Sequence, residues 1–181
     1  NVAFGNSSQF RGTTAGANAT FGYASLYTNR TGTDNIAFGN DSLRYIDNAT
    51  STVAIGSGAG SSSSGGTYQN NVFLGYRAGF VTTTGANNNI LIGYQAGNAL
   101  TTGANNIVLG YDIDAPSATG SNQLTIGNLI YGTGLDGDGT TVSSGNIGIG
   151  TTTPASKLHV FDTQSASASG QTALTISGDI N

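Results

Sequence analysis

The chain has 181 residues, nine acidic and five basic side chains, no cysteine and a formal net charge of −4. Charged residues make up 8% of it, against roughly 25% in an ordinary soluble domain, so Asn, Thr, Ser and Gly must cover its exterior. A disulfide framework, a thiolate site and the basic footprint that phosphate backbones require are excluded, and 29 glycines, two prolines and no Glu fit neither collagen nor a coiled coil.

From the first residue the chain is organised by a five-residue unit: Asn, apolar, small or apolar, apolar, Gly. It runs Asn1 to Gly5, Asn18 to Gly22, Asn35 to Gly39, Thr52 to Gly56, Asn71 to Gly75, Asn89 to Gly93, Asn106 to Gly110, Gln123 to Gly127 and Asn146 to Gly150. The closing glycines are spaced 17, 17, 17, 19, 18, 17, 17 and 23 residues apart. A period this regular predicts a stacked repeat array. In every unit the two outer apolar positions, such as Ile36 and Phe38, share one face of a short strand. The residue between them points the other way yet also avoids charge, as Ala37, Ala54, Phe73, Leu91 and Val108 do. Both faces are therefore expected to be buried. A coil of 17 residues with two short strands and two turns encloses only a narrow row of side chains, so the middle column is expected to be covered by other chains of a homo-oligomer. Packing of that column within the chain is the alternative.

After each glycine comes a corner with a small residue at its third position, as in Tyr23-Ala24-Ser25-Leu26 and Tyr76-Arg77-Ala78-Gly79. Gly and Asn then mark a second corner, as in Thr31-Gly32-Thr33-Asp34-Asn35. Stacked at roughly 4.8 Å, eight such steps give a rod on the order of 40 Å long. Residues 57–70 interrupt the period with Ser57-Gly58-Ala59-Gly60 and a serine run, and are expected to form an exposed surface loop.

Thr52-Val53-Ala54-Ile55-Gly56-Ser57-Gly58-Ala59 resembles the head repeat of trimeric autotransporter adhesins. The longer units, such as Asn18 to Asp34, resemble related repeats of phage tail fibres and bacterial surface proteins. The resemblance covers roughly residues 1–127 and implies an all-β fold, a left-handed parallel β-roll (β-solenoid) with three chains to a rod. The usual adhesin coil is shorter than 17 residues. Collagen or matrix binding by such proteins has no motif that transfers to positions here.

Beyond Gly127 the period breaks. An irregular connection with one last unit occupies 128–150, and 151–181 is expected to form a small neck-like or β-prism-like C-terminal β-module. Thr151 to Val160 is similar to the segment that follows such repeats in tail-fibre-like proteins. Pro154 suits a turn, Leu158 and Val160 alternate with Lys157 and His159 as a half-buried strand does, and a Ser/Ala loop at 164–170 leads to a second strand at 172–176. The chain opens inside a repeat, without an initiator Met or a visible signal peptide, and is expected to be a fragment of a longer one.

Few residues suggest chemistry. Asp136-Gly137-Asp138-Gly139 has half of a calcium loop, which makes a structural calcium at Asp136 and Asp138 the one cofactor weighed against a plain polar turn. Asp112 and Asp114 are poorly arranged for a paired acid and base. His159 is the only histidine, so one protomer holds no histidine triad or cluster. Tyr23, Tyr76, Tyr94 and Tyr111 fall in one column and could receive sugar rings on their faces, the alternative being stacking between coils. Sequons at Asn6, Asn18, Asn29, Asn40 and Asn48 are taken as products of composition, and Thr pairs in turns do not make an ice-binding face.

These features predict no enzyme. They predict a structural and adhesive segment of an extracellular trimeric fibre, on a cell surface or a virion tail, that displays multivalent sites for a host-cell surface, a matrix or a glycan. Its partners are its own copies and that surface, with neither nucleic acid nor membrane insertion. A purely structural filament is the alternative, and a glycan-cleaving tailspike, which needs a carboxylate pair in a groove, is the rival from another class.

Overall fold

The computed structural model describes residues 1–9, 11–62 and 65–161. Among these residues there is no helix, and every strand is three residues long. In chain order the strands are β1 (Val2–Phe4), β2 (Ala19–Phe21), β3 (Ile36–Phe38), β4 (Asn48–Thr50), β5 (Val53–Ile55), β6 (Thr67–Gln69), β7 (Val72–Leu74), β8 (Ile90–Ile92), β9 (Ile107–Leu109), β10 (Leu124–Ile126), β11 (Ile130–Gly132), β12 (Ile147–Ile149) and β13 (Leu158–Val160). Eight of them, β1, β2, β3, β5, β7, β8, β9 and β10, stack in parallel at the strand position of successive coils. The result is a parallel β-solenoid of about seven turns at a spacing of roughly 17 residues. Register is uniform, with Ile36 over Val53, Ala37 over Ala54 and Phe38 over Ile55.

The closing glycine fixes that register. A Cβ on Gly39 would lie 2.6 Å from the backbone carbonyl of Gly56 in the next coil, and its φ of +133° is one that L side chains rarely adopt. The same approach recurs from Gly22 to Gly39. Adjacent coils therefore pass too closely at this corner for any side chain.

The expected place of the middle column is corrected. From β2 onward the middle residue points into the coil: Ala37, Ala54, Phe73, Leu91 and Val108 are all fully buried within one chain. The flanking residues form the outer face, and Ile36, Phe38, Ile55, Leu74 and Ile90 stay 38–44% exposed. The reason is geometric. A three-residue strand turns one side chain inward and two outward, and the narrow coil has room for only one.

The second half of the coil is also corrected. Only β4 and β6 pair there, as a separate two-stranded parallel sheet. Elsewhere the residues second and fourth after the glycine take positive φ, as in Ala24 and Leu26 or Asp41 and Leu43. This alternation turns successive N–H groups toward opposite neighbours. The Asp41 N–H donates to the Tyr23 carbonyl of the preceding coil (2.9 Å) and the Leu43 N–H to the Ala59 carbonyl of the following one (2.9 Å). Backbone groups outside strands are thus satisfied along the rod, as burial requires.

Residues 57–70 do not form the expected exposed loop. Ala59, Ser61 and Ser62 are buried, and Tyr68 is among the largest fully buried side chains. Its ring meets Phe73 edge-on at 5.8 Å, and its hydroxyl donates to the Gly60 carbonyl. The two extra residues of this coil accompany an aromatic ring that fills the interior beside small Ala54 and Gly60.

The main sheet continues past Gly127. β11 runs antiparallel between β10 and β12, and β12 pairs in parallel with β13. A single eleven-stranded sheet therefore spans Val2 to Val160. The alternating strand expected around Leu158 is β13. The 164–170 loop and the strand at 172–176 lie outside the described residues.

Candidate functional site

The opening Asn of each unit is a structural device whose role the repeat pattern alone left unassigned. Asn18 Oδ1 accepts the Asn35 N–H at 3.0 Å and the Asn35 Nδ2 at 2.9 Å. Asn71 Oδ1 accepts from Asn89, Asn89 Oδ1 from Asn106, and Asn106 Oδ1 from Gln123, all at 2.8–2.9 Å through the backbone N–H. Several of the same amides donate to the carbonyl fourteen residues on, Asn89 to Gly103 and Asn106 to Gly120 at 3.0 Å. Each such side chain ties its own coil shut and fastens it to the next. The sequons at Asn18 and Asn29 belong to this machinery: both side chains are buried, and Asn29 bonds Gly32 and Ala49. Thr13 and Thr101 hydroxyls likewise reach carbonyls of the next coil.

What these interior devices leave for contact is the outer face of the sheet. Two apolar columns run along all eleven strands, on the order of 50 Å at the usual strand spacing. Phe4 stacks on Phe21 at 4.9 Å, and Phe38 meets Phe21 edge-on at 6.0 Å. A continuous apolar strip of this kind is the surface feature that marks an interaction face. It has little charge to keep water on it, because its positions are Val, Ile, Leu and Phe apart from Ala19 and Gly132.

Three of the four tyrosines of the expected column come together. Tyr76 stacks on Tyr94 at 5.2 Å and Tyr94 on Tyr111 at 5.0 Å, with the rings within 18° of parallel. Tyr23 is set apart from them, since Asn40 and Ser57 occupy the column between. Both faces of Tyr94 are covered by its neighbours, so this stack offers ring edges along its length.

Asp136 accepts hydrogen bonds from the Ser144 hydroxyl and from the Ser144 N–H at 2.6 Å, and these bonds hold its carboxyl below the usual carboxylate range. Among the described residues no group of three or more His, Cys, Asp or Glu side chains comes together. Asp136 and Asp138 thus sit in a turn whose first carboxylate is already engaged. Asp112 adopts positive φ in a corner and Asp114 Oδ1 accepts the Ala99 N–H at 2.9 Å, so the pair is not presented on a strand. His159 Nδ1 accepts the Ala155 N–H at 3.2 Å and its ring packs edge-on to Phe161.

Fold and surface together define a parallel β-solenoid repeat protein with an unpartnered apolar sheet face. The chain matches no family model, and no curated protein or solved structure matches it.

Proposed function

We propose that this chain is a rod segment of an extracellular homotrimeric fibre, in which three solenoids pack through their outer apolar columns and carry repeated weak contact sites to a cell surface, matrix or glycan. The observation that carries this reading is the outer strip. Val, Ile, Leu and Phe side chains left about 40% exposed on most strands would each add about 0.5–1.5 kcal/mol on burial of what remains exposed, and a second and third copy of the same strip is the cover whose length and register match without further design. The core already closes within one chain, so the coil does not need its partners to fold locally. Association then stiffens the rod and multiplies its contacts, and avidity comes from effective concentration. The role is mechanical and binding, not catalytic.

Light scattering tests the reading. A mass of three chains is expected for the native protein and a mass of one chain for the double variant Ile55→Asp/Leu74→Asp, whose circular dichroism spectrum should be unchanged. A native monomer would overturn the trimeric fibre, and open-ended polymers would favour a purely structural filament. Release of fragments from a glycan would bring back the tailspike.

A further inference from the structure

We infer that the notch over Gly58 is a binding site for one acidic sugar ring, a pyranose that carries a carboxylate. This deepens the adhesive reading above and rests on it for its biological role, but the notch is a feature of one chain.

The notch arises from a drop in side-chain size at one coil. At the second position after the strand glycine, successive coils carry Asp41, Gly58 and Arg77; at the fifth they carry Arg44, Ser61 and Phe80. The coil that begins at Ser57 is thus stripped to glycine and serine between two coils with long side chains. The opening measures about 470 Å³, within the range of small-molecule sites. A Cβ on Gly58 would already reach the Arg77 Cγ at 3.2 Å and the Phe80 ring at 3.3 Å. None of the outward apolar residues of the strands lines it.

Its walls have the chemistry of an acidic sugar. Arg77 lies with its guanidinium carbon 4.6 Å from the Phe80 ring centroid and 5.4 Å from that of Tyr76. Across the notch Arg44 lies 4.7 Å from the Tyr45 centroid and donates to Asp41 at 2.9 Å. Two cations and one carboxylate leave the site with a single uncompensated positive charge, at Arg77, which forms no ion pair among the described residues. Arg44 also keeps a buried Nε that has no hydrogen-bond partner. A planar guanidinium held against an aromatic face is suited to bidentate binding of a carboxylate. The Asp41 oxygens and the Ser57 and Ser61 hydroxyls are suited to the hydroxyls of a ring, and the aromatic rims to its C–H face. The notch is one coil deep and bounded on both sides, which fits a single ring better than an extended acidic peptide.

The test is titration of the full chain, followed by NMR, with the methyl glycoside of N-acetylneuraminic acid and with methyl glucuronide. Methyl glucoside and N-acetyl-aspartate serve as the neutral and the non-sugar controls. At least one acidic glycoside should bind; methyl glucoside should be about tenfold or more weaker because it lacks the charged hydrogen-bonded pair, and N-acetyl-aspartate should be weaker because it lacks the ring that the hydroxyls and aromatic rims would hold. Arg77→Gln should lose about tenfold in affinity. Gly58→Gln should abolish binding by filling the notch, and it should fold because Asp41 and Arg77 already adopt positive φ in the same column. Equal binding of N-acetyl-aspartate, or acidic-sugar binding that survives Gly58→Gln in a folded protein, would overturn the proposal, as would no binding of either acidic sugar. The light-scattering mass of the same samples separates the two ideas: a trimer that ignores acidic sugars removes only the notch, whereas a monomer that binds them through Arg77 removes only the trimeric fibre.

Discussion

Phe73 occupies the space that a side chain at position 79 would need: a Cβ on Gly79 would lie 2.8 Å from the Cδ1 and Cε1 of the Phe73 ring. The two positions face each other across the coil and trade volume from one repeat to the next. Coils with a small residue at the strand centre, Thr20 and Ala37, carry Leu26 and Leu43 opposite; coils with Phe73 and Leu91 at the centre carry Gly79 and Gly97. Glycine is not needed there for its backbone, since Leu26 and Leu43 take φ of 52° and 51° in the same column where Gly79 takes 62°. It is needed for its size. Near-constant interior volume is what close packing demands of each coil.

The swap should therefore be transferable. Phe73→Ala alone is expected to cost about 3–5 kcal/mol through lost burial and a cavity, and Gly79→Leu alone to destabilise by overpacking, typically about 1–3 kcal/mol. The double variant gives this coil the Ala and Leu that Ala37 and Leu43 supply two coils away. It should be more stable than the sum of the single effects by more than about 1 kcal/mol, read from denaturant unfolding. Strict additivity would mean that the two positions do not share one space.

The asparagine ladder has one weak rung. Thr52 stands where other coils have Asn or, at 123, Gln; its hydroxyl is 3.4 Å from the Asn71 N–H, and Asn71 Nδ2 is buried without a partner. Asn35 shows the remedy, because its Nδ2 and N–H both donate to the side-chain Oδ1 of Asn18 in the preceding coil. Thr52→Asn should supply the same acceptor and stabilise by about 1 kcal/mol, seen as a higher melting temperature. Asn35→Ala should do the opposite, since it leaves the buried Thr52 N–H without its acceptor. A melting temperature unmoved by either change would show the ladder to be energetically idle.

Two groups respond to pH in opposite ranges. Burial holds the Tyr68 phenol well above its usual value near 10, against a smaller opposing effect of Thr82. The unfolded chain loses this proton first, so the contribution is complete below about pH 10 and disappears as pH rises through the raised folded value. Alkaline unfolding should be delayed to higher pH in Tyr68→Phe. At the acid end, Asp136 is held low by the Ser144 hydroxyl and then by the Ser144 N–H. Its contribution is present above the ordinary carboxylate value and lost as pH falls through the lowered one. The carboxylate is fully exposed, so the loop rather than the fold should respond: NMR shifts at Ser144 should titrate below the usual Asp range in the native chain. Titration at the ordinary value would show that the Ser144 bonds do not persist in solution.

The period and its stack of short strands were legible from the spacing of the closing glycines, because a clash such as that of a Gly39 Cβ with Gly56 leaves one residue type at that corner. Which face looks inward was not. Alternation separates Ile36 and Phe38 from Ala37 without giving the direction, and size suggests that the larger pair is the core. The inward residue is the small one because Leu43 and Ile46, both fully buried, come from the far side of the same coil to fill the space. Those residues sit in corners without strand periodicity, and Tyr68 sits in a stretch whose serines and glycines read as a loop. The notch was hidden for the same reason: it is made by the small size of Gly58 and Ser61 between coils with larger side chains, which shows only when the 17-residue rows are laid side by side.

The tyrosine stack offers a last discrimination, between support and display. Tyr94 is sandwiched between Tyr76 and Tyr111 at 5.2 and 5.0 Å, and each aromatic pair is worth about 0.5–1.5 kcal/mol beyond area burial. Tyr94→Ala should therefore lower stability by about 1–3 kcal/mol although the residue is 41% exposed, a larger effect than exposed substitutions usually have. Tyr94→Phe should be nearly neutral, because the stack uses ring faces and leaves the hydroxyl at the edge. If Tyr94→Ala instead leaves stability unchanged while weakening attachment to a glycan-coated surface, the ring serves recognition, and the stack of Tyr76, Tyr94 and Tyr111 regains the sugar-binding role that their shared repeat position first suggested.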